Sequence, residues 1–144
     1  MMNKKQLTDL VIIPTLRKIP KGESAAAVLA IQMIIAHESC GGDYIAQMTG
    51  PALGIIQMEP ATHDDVWKHG DSIKKNAELL GITQCCGQLV YDLRYNVFMA
   101  RQKLFMAAGA LPEQPFKMAH YLKVHWNGGG KATPEKYYID YCGW

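Results

Sequence analysis

The sequence lacks any long apolar run and any strong excess of charge of one sign. Near the N-terminus the uninterrupted apolar run is only Leu10–Ile13, bounded by Asp9 and Pro14, which is too short for the apolar part of a signal peptide. No stretch approaches the roughly 20 apolar residues of a membrane-spanning helix. The sequence therefore predicts no signal peptide and no stable membrane insertion.

The charge balance is almost even. The formal net charge is +2, and the isoelectric point is about 8.3. A balance this mild is compatible with an anionic polymer but gives no support for a nucleic-acid partner, which usually requires a strong basic patch. We therefore predict that the protein does not bind nucleic acid.

The cysteines do not form the spaced framework of a small disulfide-rich protein. Of the four, Cys85 and Cys86 are neighbours, which rarely bond to each other because the geometry is strained. Cys40 and Cys142 lie far apart in the sequence. We expect mostly reduced thiols, some of them in the core.

Internal repeats, low-complexity segments and interdomain linkers are also absent. A chain of 144 residues with 49% hydrophobic residues fits one domain, 1–144, with a substantial core. The pattern predicts an α+β, mainly α fold, in which the short stretch Ala52–Met58 is the best strand candidate. Helices are expected over about 5–18 with an interruption at Pro14, over Ser24–Ser39, from a Thr62 cap through Trp67, from an Asp71 cap to Gly81, over Gln88–Ala108, over Pro115–His125, and from a Thr133 cap onwards.

Glu38 is the first candidate for chemistry. It ends the most apolar predicted helix, which we expect to be buried in the centre of the domain. If its side chain faces a cleft, burial and the negative end of the helix dipole both favour the protonated carboxylic acid. Glycoside cleavage needs such an acid to protonate the leaving oxygen. The alternative is a solvated glutamate at a fraying helix end.

The residues around Glu38 carry a family resemblance. The stretch AHESCGGDYIAQMTGPALGIIQMEPATHDDVW resembles the first two motifs of soluble lytic transglycosylases and goose-type lysozymes. Glu38-Ser39 matches the Glu-Ser pair at a helix end, and GIIQMEPAT at 54–62 matches the Gly-x-x-Gln-x-x-Pro-x-Thr motif. The stretch YDLRYNVFMARQKLF looks like the next family helix, with Asn96 at the usual asparagine.

A fourth motif extends the resemblance to about residues 24–141. AHYLKVHWNGGGKATPEKY is similar to the Tyr-Asn-Ala-Gly region, with Trp126-Asn127-Gly128 where the family has tyrosine and asparagine. The resemblance implies a lysozyme-like helical domain with a small β element beside a cleft. It also implies that Glu38 is the general acid that cleaves the β-1,4 bond between N-acetylmuramic acid and N-acetylglucosamine in bacterial peptidoglycan. The substrate-binding residues that it implies are Ser39, Gln57, Tyr121, Trp126 and Asn127.

Glu59 bears on the reaction type. Goose-type lysozymes carry an acidic residue two positions after the glutamine of the second motif, and Glu59 stands at that position here. A second carboxylate can assist a water in hydrolysis. We therefore expect hydrolysis by Glu38 and Glu59, with Glu59 as a mere helix-start acid as the structural alternative. A lytic transglycosylase that forms 1,6-anhydromuramic ends with Glu38 alone is the alternative reaction.

Three other functions stay open at this point. A cysteine amidase or endopeptidase would need Cys40 or Cys85 as nucleophile with His120 or His125 as base. A zinc site of the H-E-x-x-H type is unsupported because position 41 is glycine, so we predict no metal and no cofactor. A non-catalytic virion structural or wall-binding protein of the same fold is the third.

The resemblance to phage-encoded members, joined to the missing signal peptide, also suggests a location. It implies a monomeric endolysin that waits in the host cytoplasm and reaches the periplasm and cell wall after the membrane is permeabilised, or a virion-associated enzyme.

Overall fold

The computed structural model describes residues 1–144, and the chain folds into helices joined by turns and loops. The predicted mainly α architecture is confirmed. None of the helices combines the length and apolar content that crossing a bilayer requires. The helices are α1 (Lys4–Leu7), which continues through a π-helical turn (Thr8–Ile12) into α2 (Ile13–Arg17), then α3 (Ala25–Ser39), α4 (Pro60–His69), α5 (Ile73–Leu80), a 3-10 turn (Cys86–Leu89), α6 (Leu93–Phe105), α7 (Pro115–His125) and α8 (Pro134–Cys142).

The first helical segment is interrupted before Pro14, as the sequence predicts. The Ile13 N–H donates to the Thr8 carbonyl, a bond that spans five residues instead of four. Proline cannot donate a helical hydrogen bond, and its ring clashes with the carbonyl four residues earlier, so a wide turn in front of it relieves the conflict.

Helix α3 is the centre of the domain. The Ser24 hydroxyl caps its start by accepting from the Ala27 N–H at 2.9 Å. It packs against α6, α7 and α8 and belongs to a core cluster of 32 buried residues. Cys40, Gly41 and Gly42 all have positive φ, which stops the helix directly after Ser39.

Several predicted helix starts were wrong because the actual caps lie nearby. Helix α4 begins at Pro60 rather than at a Thr62 cap, since proline is well suited to the first helical position. Ser72, not Asp71, precedes α5. Helix α6 begins only at Leu93, because the Asp92 side chain accepts from the Tyr95 N–H at 2.9 Å and caps it there.

The predicted strand Ala52–Met58 is also wrong. Leu53 and Met58 pair through reciprocal backbone hydrogen bonds of 2.9 and 3.0 Å, and the four residues between them form a tight turn. A single bridge joins Leu53 to Ala46, and no strand forms. We call residues 53–58 the 53–58 turn. Its sharp reversal needs the positive φ of Gly54 (78°) and of Gln57 (47°).

Asn96 of α6 anchors the 53–58 turn from beneath. This buried side chain donates to the Leu89 and Asp92 carbonyls at 2.8 Å each and accepts from the Ile56 N–H at 3.4 Å. A Cβ on Gly54 would overlap the Asn96 amide oxygen. Helix α6 therefore fixes the position of the turn relative to α3.

All four cysteines are free. Cys40, Cys85 and Cys142 are exposed, and only Cys86, which is half-buried, packs against the core.

Candidate active site

A cleft of about 740 Å³ lies beside the C-terminal end of α3. The loop from Tyr44 to Ala52 and the 53–58 turn form one side of it, and the loop after α7 forms the other. Five of the predicted site residues line this cavity together: Glu38, Gln57, Glu59, Trp126 and Asn127.

The Glu38 carboxylate is half-buried and is held by a neighbouring helix. The Tyr137 hydroxyl of α8 donates to Glu38 Oε1 at 2.9 Å. Burial raises the pKa of Tyr137, and the negative charge of Glu38 raises it further. The phenol therefore keeps its proton at any physiological pH and remains a donor to Glu38.

A cation lies in the same cleft as this carboxylate. Lys103, near the end of α6, lines the same cleft, and the charge of Glu38 acts on it. Burial lowers the pKa of Lys103, and Glu38 opposes that shift. The Tyr137 hydroxyl thus contacts Glu38 directly, whereas Lys103 interacts with its charge from within the same cleft.

A second contact between α3 and α8 lies next to the first. His37 Nδ1 is 2.8 Å from Asp140 Oδ2, and the His37 ring packs on the Tyr137 ring with centroids 4.0 Å apart. Both side chains of the pair are mostly buried. Two successive residues of α3 are therefore each held by α8, which fixes the rotation of the helix end that presents Glu38.

The 53–58 turn and the start of α4 supply the facing polar groups. Gln57 donates through Nε2 to the Gly54 carbonyl at 2.8 Å, which orients its side chain across the turn. Glu59 is exposed at the N-cap of α4, where its side chain makes no capping hydrogen bond. Its carboxylate is therefore free to contact a ligand or water in the cleft.

The opposite side of the cleft is residues 126–130, which we call the glycine wall. Trp126 ends α7, and Asn127 and three glycines follow. The Asn127 Oδ1 is buried without a hydrogen-bond partner. It folds over Gly130, where a Cβ would overlap it. The wall thus offers an aromatic ring and an amide to the cavity.

Two predicted binding residues do not line the cleft. Ser39 is fully buried, and its hydroxyl donates to the Ile35 carbonyl at 3.1 Å and accepts from the Gly42 N–H at 3.0 Å, so it stabilises the end of α3 instead. The Tyr121 hydroxyl is buried, and its ring packs on His125 with centroids 4.3 Å apart.

Sequence reasoning missed Lys103 and Tyr137. Lys103 adjoins Leu104 on a predicted amphipathic helix, and Tyr137 lies in a predicted helix with no motif of its own. Nothing local marks either residue, because both reach the surroundings of Glu38 only when α3, α6 and α8 pack.

The residues of the competing hypotheses lie elsewhere. The thiols and imidazoles named for a cysteine enzyme, Cys40, Cys85, His120 and His125, are not among the residues that line the cleft. No group of three His, Cys, Asp or Glu side chains is placed to hold a metal ion.

Comparisons of the chain with protein-family models, with curated proteins and with solved structures found no match.

Proposed function

We propose that the protein cleaves the glycan strands of bacterial peptidoglycan at the β-1,4 bond between N-acetylmuramic acid and N-acetylglucosamine, with Glu38 as general acid. The observation that carries the proposal is the cleft in which Glu38, Gln57, Glu59, Trp126 and Asn127 meet, although they come from three separate parts of the sequence. They are five of the seven site residues that the motif resemblance singles out, all but Ser39 and Tyr121.

The arrangement suits a polymer of sugars. An open cleft with an acid at its base, amides on both sides and an indole ring on the wall provides the groups that sugars use: hydrogen bonds to hydroxyl and acetamido groups, and an apolar face for a pyranose ring. In the same proposal the fold is lysozyme-like, α3 is the catalytic helix, and the 53–58 turn takes the place of the small β element.

For the reaction type we propose hydrolysis. Glu59 is exposed, makes no capping hydrogen bond and lines the cleft with Glu38, so it is able to direct a water towards the sugar. Cleavage by Glu38 alone, with the muramic 6-hydroxyl closing an anhydro ring, is the competing reaction, and Glu59 would then be dispensable.

The proposal is tested by loss of turbidity of purified cell walls. Glu38→Gln removes the proton donor but keeps the shape, and we expect the rate to fall about 10²–10⁴-fold. Glu78→Gln is the matched control, because Glu78 is an exposed glutamate on α5 outside the cleft. Lysis by Glu38→Gln at the native rate would overturn the proposal. Wall binding without lysis by the unmutated protein would favour a non-catalytic wall-binding protein.

Mass spectrometry of the digested glycan distinguishes the two reactions. Reducing muramic ends, lost in Glu59→Gln, are expected for hydrolysis, whereas 1,6-anhydro ends that persist in Glu59→Gln would establish the transglycosylase reaction. The monomeric state and the phage-type localisation stay predictions of the resemblance.

A further inference from the structure

The glycine wall has little means of holding its own shape. Trp126 and Asn127 both donate to the Leu122 carbonyl, at 2.8 and 3.1 Å, and beyond them the wall has one internal backbone hydrogen bond, from the Gly130 N–H to the Asn127 carbonyl at 3.2 Å. Three consecutive glycines carry the largest backbone entropy of any residue type. A segment of this kind needs external contacts to form one side of a cleft.

Lys123 provides the first external contact. It lies in the last turn of α7, and its ammonium donates to the Asn127 carbonyl at 2.9 Å and to the Gly130 carbonyl at 2.6 Å. One side chain therefore joins the two ends of the glycine run.

Lys103 provides the second contact, from a different helix. Its ammonium donates to the Trp126 carbonyl at 3.1 Å and lies 4.1 Å from the centroid of the Trp126 ring. Because the carbonyl end of a helix carries partial negative charge, both lysines are placed where α7 best accepts a cation. A hydrogen bond from a charged donor is also stronger than one between neutral groups.

We propose that Lys103 and Lys123 are positioning residues that hold the glycine wall in its cleft-forming shape, and that Lys103 couples the wall to the Glu38 side of the cleft. Lys103 is the key member, because its ammonium binds the wall and its side chain lines the same cleft as Glu38. Its relevance to glycan cleavage rests on the proposed function, whereas its effect on the wall does not.

The primary test is amide hydrogen exchange by NMR, which needs no activity. The observed amides are those of Trp126, Asn127 and Gly130, because these are the hydrogen-bonded N–H groups of the wall. We expect Lys103→Met to accelerate their exchange about tenfold, the effect of losing one hydrogen bond to a charged group. Lys123→Met should accelerate mainly Gly130.

Two further variants make the test specific. Lys103→Arg keeps the charge and should retain most of the protection. Lys117→Met removes an exposed lysine from the same α7 and should leave the three amides unchanged. Unchanged exchange in Lys103→Met, no protection in Lys103→Arg, or equal acceleration in Lys117→Met would overturn the proposal.

A kinetic readout connects the wall to the reaction. On a soluble glycan oligomer we expect Lys103→Met to raise KM several-fold with a smaller change in kcat, and Lys103→Arg to restore KM. An unchanged KM in a variant whose wall exchanges faster would overturn the link to substrate binding. If the unmutated protein does not cleave glycans at all, the proposed function fails while the exchange result still decides the role of the lysines.

Discussion

The two sides of the cleft are built in different ways. Glu38 belongs to a helix buried through most of its length, and two side chains of α8 grip its end. The glycine wall opposite is irregular, largely exposed and held by lysine side chains. Under the proposed function this difference has a physical reason: an acid that takes part in a reaction needs a fixed position, whereas a surface that receives a long polymer can be less stable.

The largest expected effect on stability comes from a substitution in α3, the helix that carries Glu38. Ile34 is fully buried in α3, so Ile34→Ala should lower the free energy of unfolding by about 2–5 kcal/mol. Val124→Ala, at an exposed position of α7, should change it by less than about 0.5 kcal/mol. Urea denaturation measures the free energy of unfolding of both variants. Equal losses would mean that α3 is no more important for stability than the exposed surface of α7 next to the glycine wall.

A substitution in the 53–58 turn should lower the free energy of unfolding almost as much. Gly54 has a φ of 78°, and a Cβ there would also lie 2.5 Å from the Leu89 carbonyl oxygen, so Gly54→Ala should cost about 2–4 kcal/mol. Gly81 has a similar φ of 67° but open space around it, and Gly81→Ala should cost about 1–2 kcal/mol. Thermal or urea unfolding compares the two, and no excess cost at Gly54 would mean that Asn96 does not anchor the turn.

Tyr137→Phe should cost about 1–3 kcal/mol, because it removes a hydrogen bond to a carboxylate. The same substitution should also change how the free energy of unfolding depends on pH in the alkaline range. The folded state raises the pKa of Tyr137, so above about pH 10 the unfolded chain releases a proton that the folded chain keeps, and stability falls as pH rises. Unfolding curves from pH 8 to 11 should show a shallower decline in Tyr137→Phe, and parallel declines would contradict this assignment.

The smallest effect on stability is expected on the glycine wall. Gly130→Ala would displace the Asn127 amide, yet in an exposed loop it should cost less than about 1 kcal/mol. Gly129→Ala, with no atom near its would-be Cβ, is the matched control. If the glycan binds at the wall, Gly130→Ala should weaken binding several-fold in a titration while Gly129→Ala does not. If Gly130→Ala lowered the free energy of unfolding as much as Ile34→Ala, the two sides of the cleft would not differ in their contribution to stability.

The predictable parts of the molecule are those with local causes. The start of α3 at Ser24, the proline start of α7 and the Thr133 cap of α8 follow from residues at the helix ends themselves, and all three are confirmed. The prediction of a strand at Ala52–Met58 is wrong because the turn that forms there depends on Asn96, about 40 residues further along the chain. The clustering of Glu38, Gln57 and Asn127 agrees with the motif order, whereas Lys103 and Tyr137 reach the site only through helix packing.

The π-helical turn at Thr8–Ile12 has a consequence for the register of the first helix. Leu7 and Leu16 are nine positions apart, which in a regular helix of 3.6 residues per turn would place them on opposite faces. Both are nonetheless buried in the same core. The π-helical turn contains one residue more than a regular helical turn. The residues after it are therefore rotated so that Leu16 faces the core as Leu7 does. Deleting one residue between Thr8 and Ile12 would leave the two leucines eight apart, on one face of an uninterrupted helix.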